Sequence, residues 1–352
     1  MVDLGFKVFS EIPDGLLDVD SAGLLDLLGG PALIHLEGKR EDSLFVSVML
    51  HGNEFTGLRV IQQILRKYRD RELPRSLSIF IGNVAAAEQN LRALPGQPDF
   101  NRIWGYGDTP EHQMTHQVME SMRERRVFAA VDVHNNTGKN PHFALICRHE
   151  SDFYHLATLF SRTVVYTVKP DTTSTWAMSD FCPAVTLECG LPGDQHGIDH
   201  AVEFIEGCLH LSHFPDHPLP EHDMDLYHLV SIIKIPSCYS FSFNGEGTDL
   251  LFDEDLVLMN FSEVQEGTSF CRIQEDSDAF LEAWDEHGKD RSNEFFIRDE
   301  NDYKLKVPVM PAMLTDNENV IRIDCLCYLM ERINWKLIQD EPVIDETSVQ
   351  TS

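Results

Sequence analysis

The sequence predicts an α/β protein: a mixed, largely parallel sheet with helices on both faces, followed by a smaller C-terminal β-rich domain. Three observations predict it. Strand-like and helix-like runs alternate over roughly the first 210 residues. A segment rich in proline and charge, PDHPLPEHD at 215–223, interrupts that alternation. Beyond it the remaining apolar runs are short and β-type. A chain of 352 residues is long enough for one large unit and one smaller one. The expected division is 1–220 for the α/β catalytic part, 221–340 for the β-rich part and 341–352 for a frayed tail.

Taken in order, PALIHLE at 31–37 and LFVSVML at 44–50 read as strands separated by the polar turn GKRED. LRVIQQILRKY follows with apolar residues at 58, 60, 61, 64 and 65, which is helical spacing. LSIFIGN is a strand and LPGQPDFNRIWGYGDTP a Pro/Gly-rich loop, with a helix over about 111–126. VFAAVDVH and FALICR are strands, 151–162 a helix and VVYTV a strand. A Thr/Ser-rich loop leads to the strand PAVTLECG and a helix at about 198–211. After the linker, LVSIIKIPSCYSFSF, DLVLMNF, TSFCRIQ, EFFIRD, KLKVPVM and VIRIDCLCYL are all read as β-type runs.

The chain carries 28 basic and 58 acidic side chains, for a formal net charge of −30. Such a surface repels nucleic acid and anionic membrane, so neither is an expected partner. No run of 18 apolar residues predicts a membrane span, and the N-terminus has no basic region followed by an apolar one. The eight cysteines are scattered without a C-x-x-C pair, which predicts reduced thiols and a cytoplasmic protein. Cys325 and Cys327 alternate with apolar residues as small core side chains do. The oligomeric state is left open, with a homodimer the usual arrangement.

Three strands of the first part end in residues that bind metals or carry charge. LFVSVML ends in His51-Gly52-Asn53-Glu54, VFAAVDV in His134 and PAVTL in Glu188. Ligands of open α/β sheets bind beyond the carboxyl ends of strands, so these side chains converge if the strands are neighbours. Two histidines and a glutamate are a standard set for a catalytic zinc that keeps one position for water. Glu188 is the carboxylate available to take that water's proton. H-x-x-E alone, or one histidine at a strand end, is a weak signal; the combination in this strand context is much stronger. Asp132 points to the same face as His134 two residues on, where an acid orients a ligating imidazole through its other nitrogen. Arg102 lies in a Pro/Gly-rich loop, where its planar fork suits a carboxylate or pairs with one of the chain's many acids.

Four motifs in this order, HGNE at 51–54, NR at 101–102, DVHN at 132–135 and TLECG at 186–190, resemble the signature of the aspartoacylase and succinylglutamate desuccinylase family. That family belongs with the zinc carboxypeptidases, and the resemblance spans about residues 30–210. It implies one zinc on His51, Glu54 and His134, and Glu188 as general base. It implies that Asn101 and Arg102 grip a substrate carboxylate and that Arg92 polarises the scissile carbonyl. It further implies a smaller β domain that narrows access to the site. Tyr227, Tyr239 and Tyr303 are the tyrosines of that part able to contribute a side chain. The expected reaction is hydrolysis of an amide bond in an N-acyl amino acid or a similar small carboxylate-bearing substrate. A metallocarboxypeptidase acting on short peptides is the alternative, and a catalytically inactive zinc-binding protein a further one. Members resembling aspartoacylase carry an arginine about ten residues before the catalytic glutamate. Here TTSTWAMSDFCPAVTLE holds Trp176 and Met178 and no basic residue, which favours an apolar or neutral group over a second carboxylate.

Overall fold

The computed structural model describes residues 4–136, 138–245 and 247–333. The expected tail at 341–352 lies outside them. In chain order the first part comprises β1 (Lys7–Phe9), α1 (Leu24–Leu28), β2 (Ala32–Leu36), β3 (Ser43–Val48), α2 (Thr56–Lys67), β4 (Leu77–Ile81), α3 (Val84–Glu88), α4 (Pro110–Glu124), β5 (Val127–His134), β6 (Phe143–Ile146), α5 (Ser151–Thr158), β7 (Thr163–Tyr166), α6 (Ser174–Met178), β8 (Ala184–Glu188) and α7 (Gln195–His210). The later part adds β9 (Asp225–Lys234), β10 (Phe241–Ser242), β11 (Leu250–Leu251), β12 (Ser269–Ile273), β13 (Glu282–Trp284), α8 (Ser292–Phe295), β14 (Phe296–Asp299), β15 (Asp302–Leu305), β16 (Met310–Ala312), α9 (Glu318–Ile323) and β17 (Cys327–Arg332).

The main sheet runs β1-β2-β4-β3-β5-β8-β6-β7-β9-β17-β16, with β13 also paired to β9. Its centre is parallel: β4, β3, β5 and β8 all run the same way. These strands read as largely apolar runs because both faces are covered. Gly57 of α2 packs on Val48 and Val133, close enough that a Cβ there would lie 2.8 Å from Val48 Cβ. On the opposite face Ser47 and His35 meet α6 and α4, through Ser174 and Ser121. The sheet does not stop at the linker, because β9 pairs in parallel with β7 and carries β17 beside it. The rest of the later part forms a second sheet, β10-β11-β12-β15-β14, over its own apolar cluster around Phe252, Phe270 and Leu281.

Two β-type expectations change. DLVLMNF overlaps a 3₁₀ turn, Glu254–Met259, in which only Leu256 is buried, so it presents no alternating apolar face for a sheet to cover. VIRI belongs to α9, whose start is fixed by Asn317 Oδ1 accepting from Asn319 N and Val320 N; the strand begins only at Cys327. The Thr/Ser-rich loop also contains a helix that the sequence reading lacks, α6, capped by Thr173 Oγ1 accepting from Trp176 N. All eight cysteines are free thiols, and only Cys238 is exposed. Among the described residues, no helix is long and apolar enough to cross a membrane.

Candidate metal centre and active-site cavity

Strand register assembles the centre. Ser47 of β3 stands beside Asp132 of β5, and Asp132 and His134 stand beside Thr186 and Glu188 of β8. Directly paired residues share a face, so one row of side chains crosses three strand ends. The HGNE turn begins where β3 gives out, after Met49 at a positive φ of 58°. A side chain at Gly52 has no room, since a Cβ there would lie 2.3 Å from Ala87 N in α3. Glu54 N returns to His51 O at 3.2 Å, which folds both side chains of the turn to one side.

His51, Glu54 and His134 are all buried, and one potential ligand atom from each lies within 4.8 Å of the others. His51 Nδ1 is 2.7 Å from Glu54 Oε1, and His134 Nδ1 is 2.8 Å from Glu54 Oε2. Both Nε2 atoms face carboxylates: that of His134 is 2.9 Å from Asp132 Oδ2 and that of His51 is 3.0 Å from Asp99 Oδ1. With the Nε2 protons given to these carboxylates, each Nδ1 lone pair points at a Glu54 oxygen. Two lone pairs against a carboxylate repel unless positive charge, a proton or a metal ion, lies among them. The donor set therefore fits a divalent ion of the zinc type, with the outer nitrogens fixed as ligating histidines require. Burial works to raise the Glu54 carboxyl, but His51 and His134 outweigh it and hold it well below the usual range. Burial likewise works to lower the His134 imidazole, yet Asp132 and Glu54 hold it well above its ordinary value. The pocket of acids calls for positive charge.

Glu188 lines the same cavity. Burial, with smaller contributions from Glu54 and Asp132, pushes its carboxyl up to about 7, against the lowering effect of His134. Asn136 Nδ2 reaches Glu188 Oε2 at 3.4 Å, and Asn140 Nδ2 holds Asn136 Oδ1 at 3.0 Å. A carboxylate tuned near neutrality takes and returns a proton readily.

Arg92 binds Asp99 through Nε at 3.0 Å and Nη2 at 2.9 Å, and its Nη1 is 3.7 Å from Glu54 Oε1. Its guanidinium thus borders the metal position. Asn101 lines the cavity with Oδ1 accepting from Ser174 N at 3.0 Å and Nδ2 at 3.1 Å from His134 Nε2. Because the single Nε2 proton goes to Asp132, that nitrogen accepts nothing, and the Asn101 amide retains N–H groups for a ligand. Arg102 donates to Asn101 O at 2.9 Å and also lines the cavity.

The reading from sequence missed several residues. Asp99, the first residue of DFNR, holds both His51 and Arg92, and its motif position was the signal that could have found it. Burial works to raise its carboxyl, but the hydrogen bond from His51 and the charges of Arg92 and Arg102 pull it far down. Tyr328, Asp324 and Met313 bring the later part of the chain into the cavity wall, whereas Tyr227, Tyr239 and Tyr303 do not line it. Burial pushes the Tyr328 hydroxyl well above its ordinary value. Trp176 lines the cavity, but Met178 is fully buried in the core and takes no part in the wall. Five residues of helix turn the two side chains to different sides.

Residues 41–210 match the model of the succinylglutamate desuccinylase/aspartoacylase catalytic domain. No curated protein matches the chain. Among solved structures it is similar to a succinylglutamate desuccinylase/aspartoacylase from Rhodobacter sphaeroides, with 12% identity over 85% of this chain and 88% of that one and a TM-score of 0.58. It is similar to murine aminoacylase 3, with 16% identity over 84% and 96% and a TM-score of 0.56. It is also similar to the succinylglutamate desuccinylase of Chromobacterium violaceum, with 16% identity over 84% and 85% and a TM-score of 0.53. At these identities the likeness is one of fold, and it extends well past the matched domain into the later strands. Residues 41–210 therefore carry a catalytic domain of the succinylglutamate desuccinylase/aspartoacylase type.

Proposed function

We propose that the protein is a zinc-dependent hydrolase that cleaves the amide bond of an N-acyl amino acid or a similar small substrate bearing a carboxylate. The observation that carries this reading is the register pairing of His134 with Glu188, which sets a carboxyl raised to about 7 beside a buried His-Glu-His set. His51 Nδ1, Glu54 and His134 Nδ1 would hold the zinc. When bound, zinc supplies Lewis acidity, which makes a water acidic near neutral pH and polarises a carbonyl oxygen. Glu188 removes the proton of the attacking water and delivers it to the departing amine nitrogen. Arg92, bordering Glu54, faces the oxyanion that develops on the scissile carbonyl. Arg102 and the Asn101 amide bind the substrate's carboxylate and so fix the amide against Glu188.

The test is Glu188→Gln. Metal content by elemental analysis stays near one ion per chain, while kcat on N-acyl amino acids falls by about 10²–10⁴-fold. Near-normal turnover in that variant sinks the base assignment. Turnover of short peptides from the C-terminus, with none of N-acyl amino acids, would replace this reading by a metallocarboxypeptidase.

A further inference from the structure

One wall of the cavity has no place for a second charge. It is built by the end of β6, the loop after β7, α6 and Thr186 of β8. Its polar groups are neutral apart from one lysine and bond largely within the wall. Thr175 Oγ1 and Thr186 Oγ1 are 2.6 Å apart, and Cys147 Sγ donates to Thr175 O at 3.8 Å. Thr173 Oγ1 accepts from Trp176 N at 3.2 Å, and Thr167 Oγ1 donates to Lys169 O at 2.6 Å. Lys169, the one cation on this wall among the described residues, gives its ammonium to Asp171 at 2.5 Å at the exposed rim. The rest of this wall is Leu145, Ile146 and the half-buried Trp176, which are apolar apart from one neutral indole N–H. A carboxylate moved here loses its water and gains only neutral donors with no cation to balance its charge, which is unfavourable. The guanidinium and amide of Arg102 and Asn101 serve one carboxylate only.

We propose that this wall selects a neutral, apolar group of the substrate and rejects a second carboxylate, with Trp176 as the specificity-determining residue. The proposal rests on the hydrolase reading above. The apolar group is supplied either by the amino-acid side chain or by the acyl chain, and the substrates below separate the two.

The experiment compares kcat/KM for N-acetylphenylalanine, N-acetylleucine and N-hexanoylglycine with N-acetylaspartate, N-acetylglutamate and N-succinylglutamate. Neutral substrates are expected to exceed dicarboxylates by about 100-fold or more. A lead for the first two places the side chain on the wall, and a lead for N-hexanoylglycine places the acyl chain there. Trp176→Arg is expected to shrink the ratio by about 10-fold, chiefly through a lower KM for dicarboxylates. The same ranking is expected in calorimetric binding to Glu188→Gln, which turns over little. If the binding ranking holds and no substrate is hydrolysed, the hydrolase reading fails and this one stands. Dicarboxylates that bind and react as well as neutral substrates overturn it, as does a dicarboxylate preference that Lys169→Ala removes.

Discussion

His134 and His51 are backed by the same device on unlike scaffolds. His134 and its carboxylate Asp132 stand two residues apart on one strand, paired on both sides by β3 and β8. His51 and its carboxylate Asp99 come from two loops 48 residues apart. On the strand, the pleat alone brings imidazole and acid together, and the sheet's hydrogen bonds have already ordered the backbone. On the loops, contacts that the strand arm does not need hold the pair in place. Arg92 grips Asp99, Asn101 N donates to Asp99 Oδ1 at 2.7 Å, and Gly52 lets the HGNE turn lie against α3. The Asp132 side chain is 1% exposed and that of Asp99 23%. One arm is rigid and dry, and the other is a charge network open to water on one side.

The largest expected effect removes either arm at its ligand. His51→Ala and His134→Ala each leave two protein ligands, too few for a catalytic zinc. Elemental analysis should find background metal in both, and kcat/KM should fall at least about 10³-fold. An arm whose variant keeps a full metal ion is not a ligand, and the comparison collapses to one side.

The strand arm also reaches Glu188, its register neighbour, and this gives the next effect. The Glu188 carboxyl moves from an ordinary 4.5 up to about 7 on folding, so the folded chain holds that proton more tightly than the unfolded one. The stability this contributes is complete below pH 4.5 and is lost as the pH rises through about 7. A shift of this size corresponds to up to about 3 kcal/mol. In metal-stripped protein, Glu188→Gln should therefore gain up to about 3 kcal/mol over the parent between pH 4.5 and 8, as followed by denaturant unfolding. A difference that stays flat across this range would show that burial beside the strand arm does not raise the Glu188 carboxyl.

The same contrast explains what could be read from the sequence. D-x-H at the end of an apolar run has period-2 logic, so Asp132 was legible beside His134, and parallel strands made Glu188 their companion. Asp99 was not singled out because loop closure over 48 residues obeys no period, and only its place in a motif marks it. The sheet core was legible for the first reason, since β3, β4, β5 and β8 are largely apolar runs. Trp176 and Met178 were grouped because they are near in sequence, and a five-residue helix that no periodicity announces sent one to the cavity and one to the core. Tyr328 escaped notice because nothing in CLCYL distinguishes a strand that joins the catalytic sheet from one that joins the second.

The two carboxylates then offer a graded test. Asp132→Asn and Asp99→Asn each keep shape and remove charge, and such changes behind a metal-bound histidine typically cost 10–100-fold in affinity or activity. Asp132→Asn should sit near about 100-fold in metal affinity, because its site is dry and no second acid replaces it. Asp99→Asn should sit near about 10-fold, since water reaches it, but it also frees Arg92 and so should change KM more than its partner does. Metal titration with a competing chelator gives the affinities. A reversed order would show that the loop network, not the strand, is the stiffer support.

Ser47→Ala probes the strand arm one contact further out and carries the smallest effect. Its hydroxyl donates to Asp132 Oδ1 at 2.7 Å and lies 3.2 Å from Ser174 Oγ, so it ties Asp132 to both β3 and the start of α6. Losing one hydrogen bond to a buried carboxylate costs about 1.5–3 kcal/mol when nothing replaces it. With Ser47 Oγ gone, a turn of Ser174 Oγ toward Asp132 should reduce the loss to about 1 kcal/mol of stability and leave metal affinity within about fivefold of the parent. The double variant Ser47→Ala/Ser174→Ala should lose more than the sum of the two single changes, because each single variant retains the other's hydroxyl. Strict additivity in denaturant unfolding would mean that the two serines act separately and that Asp132 is held in place by the strand alone.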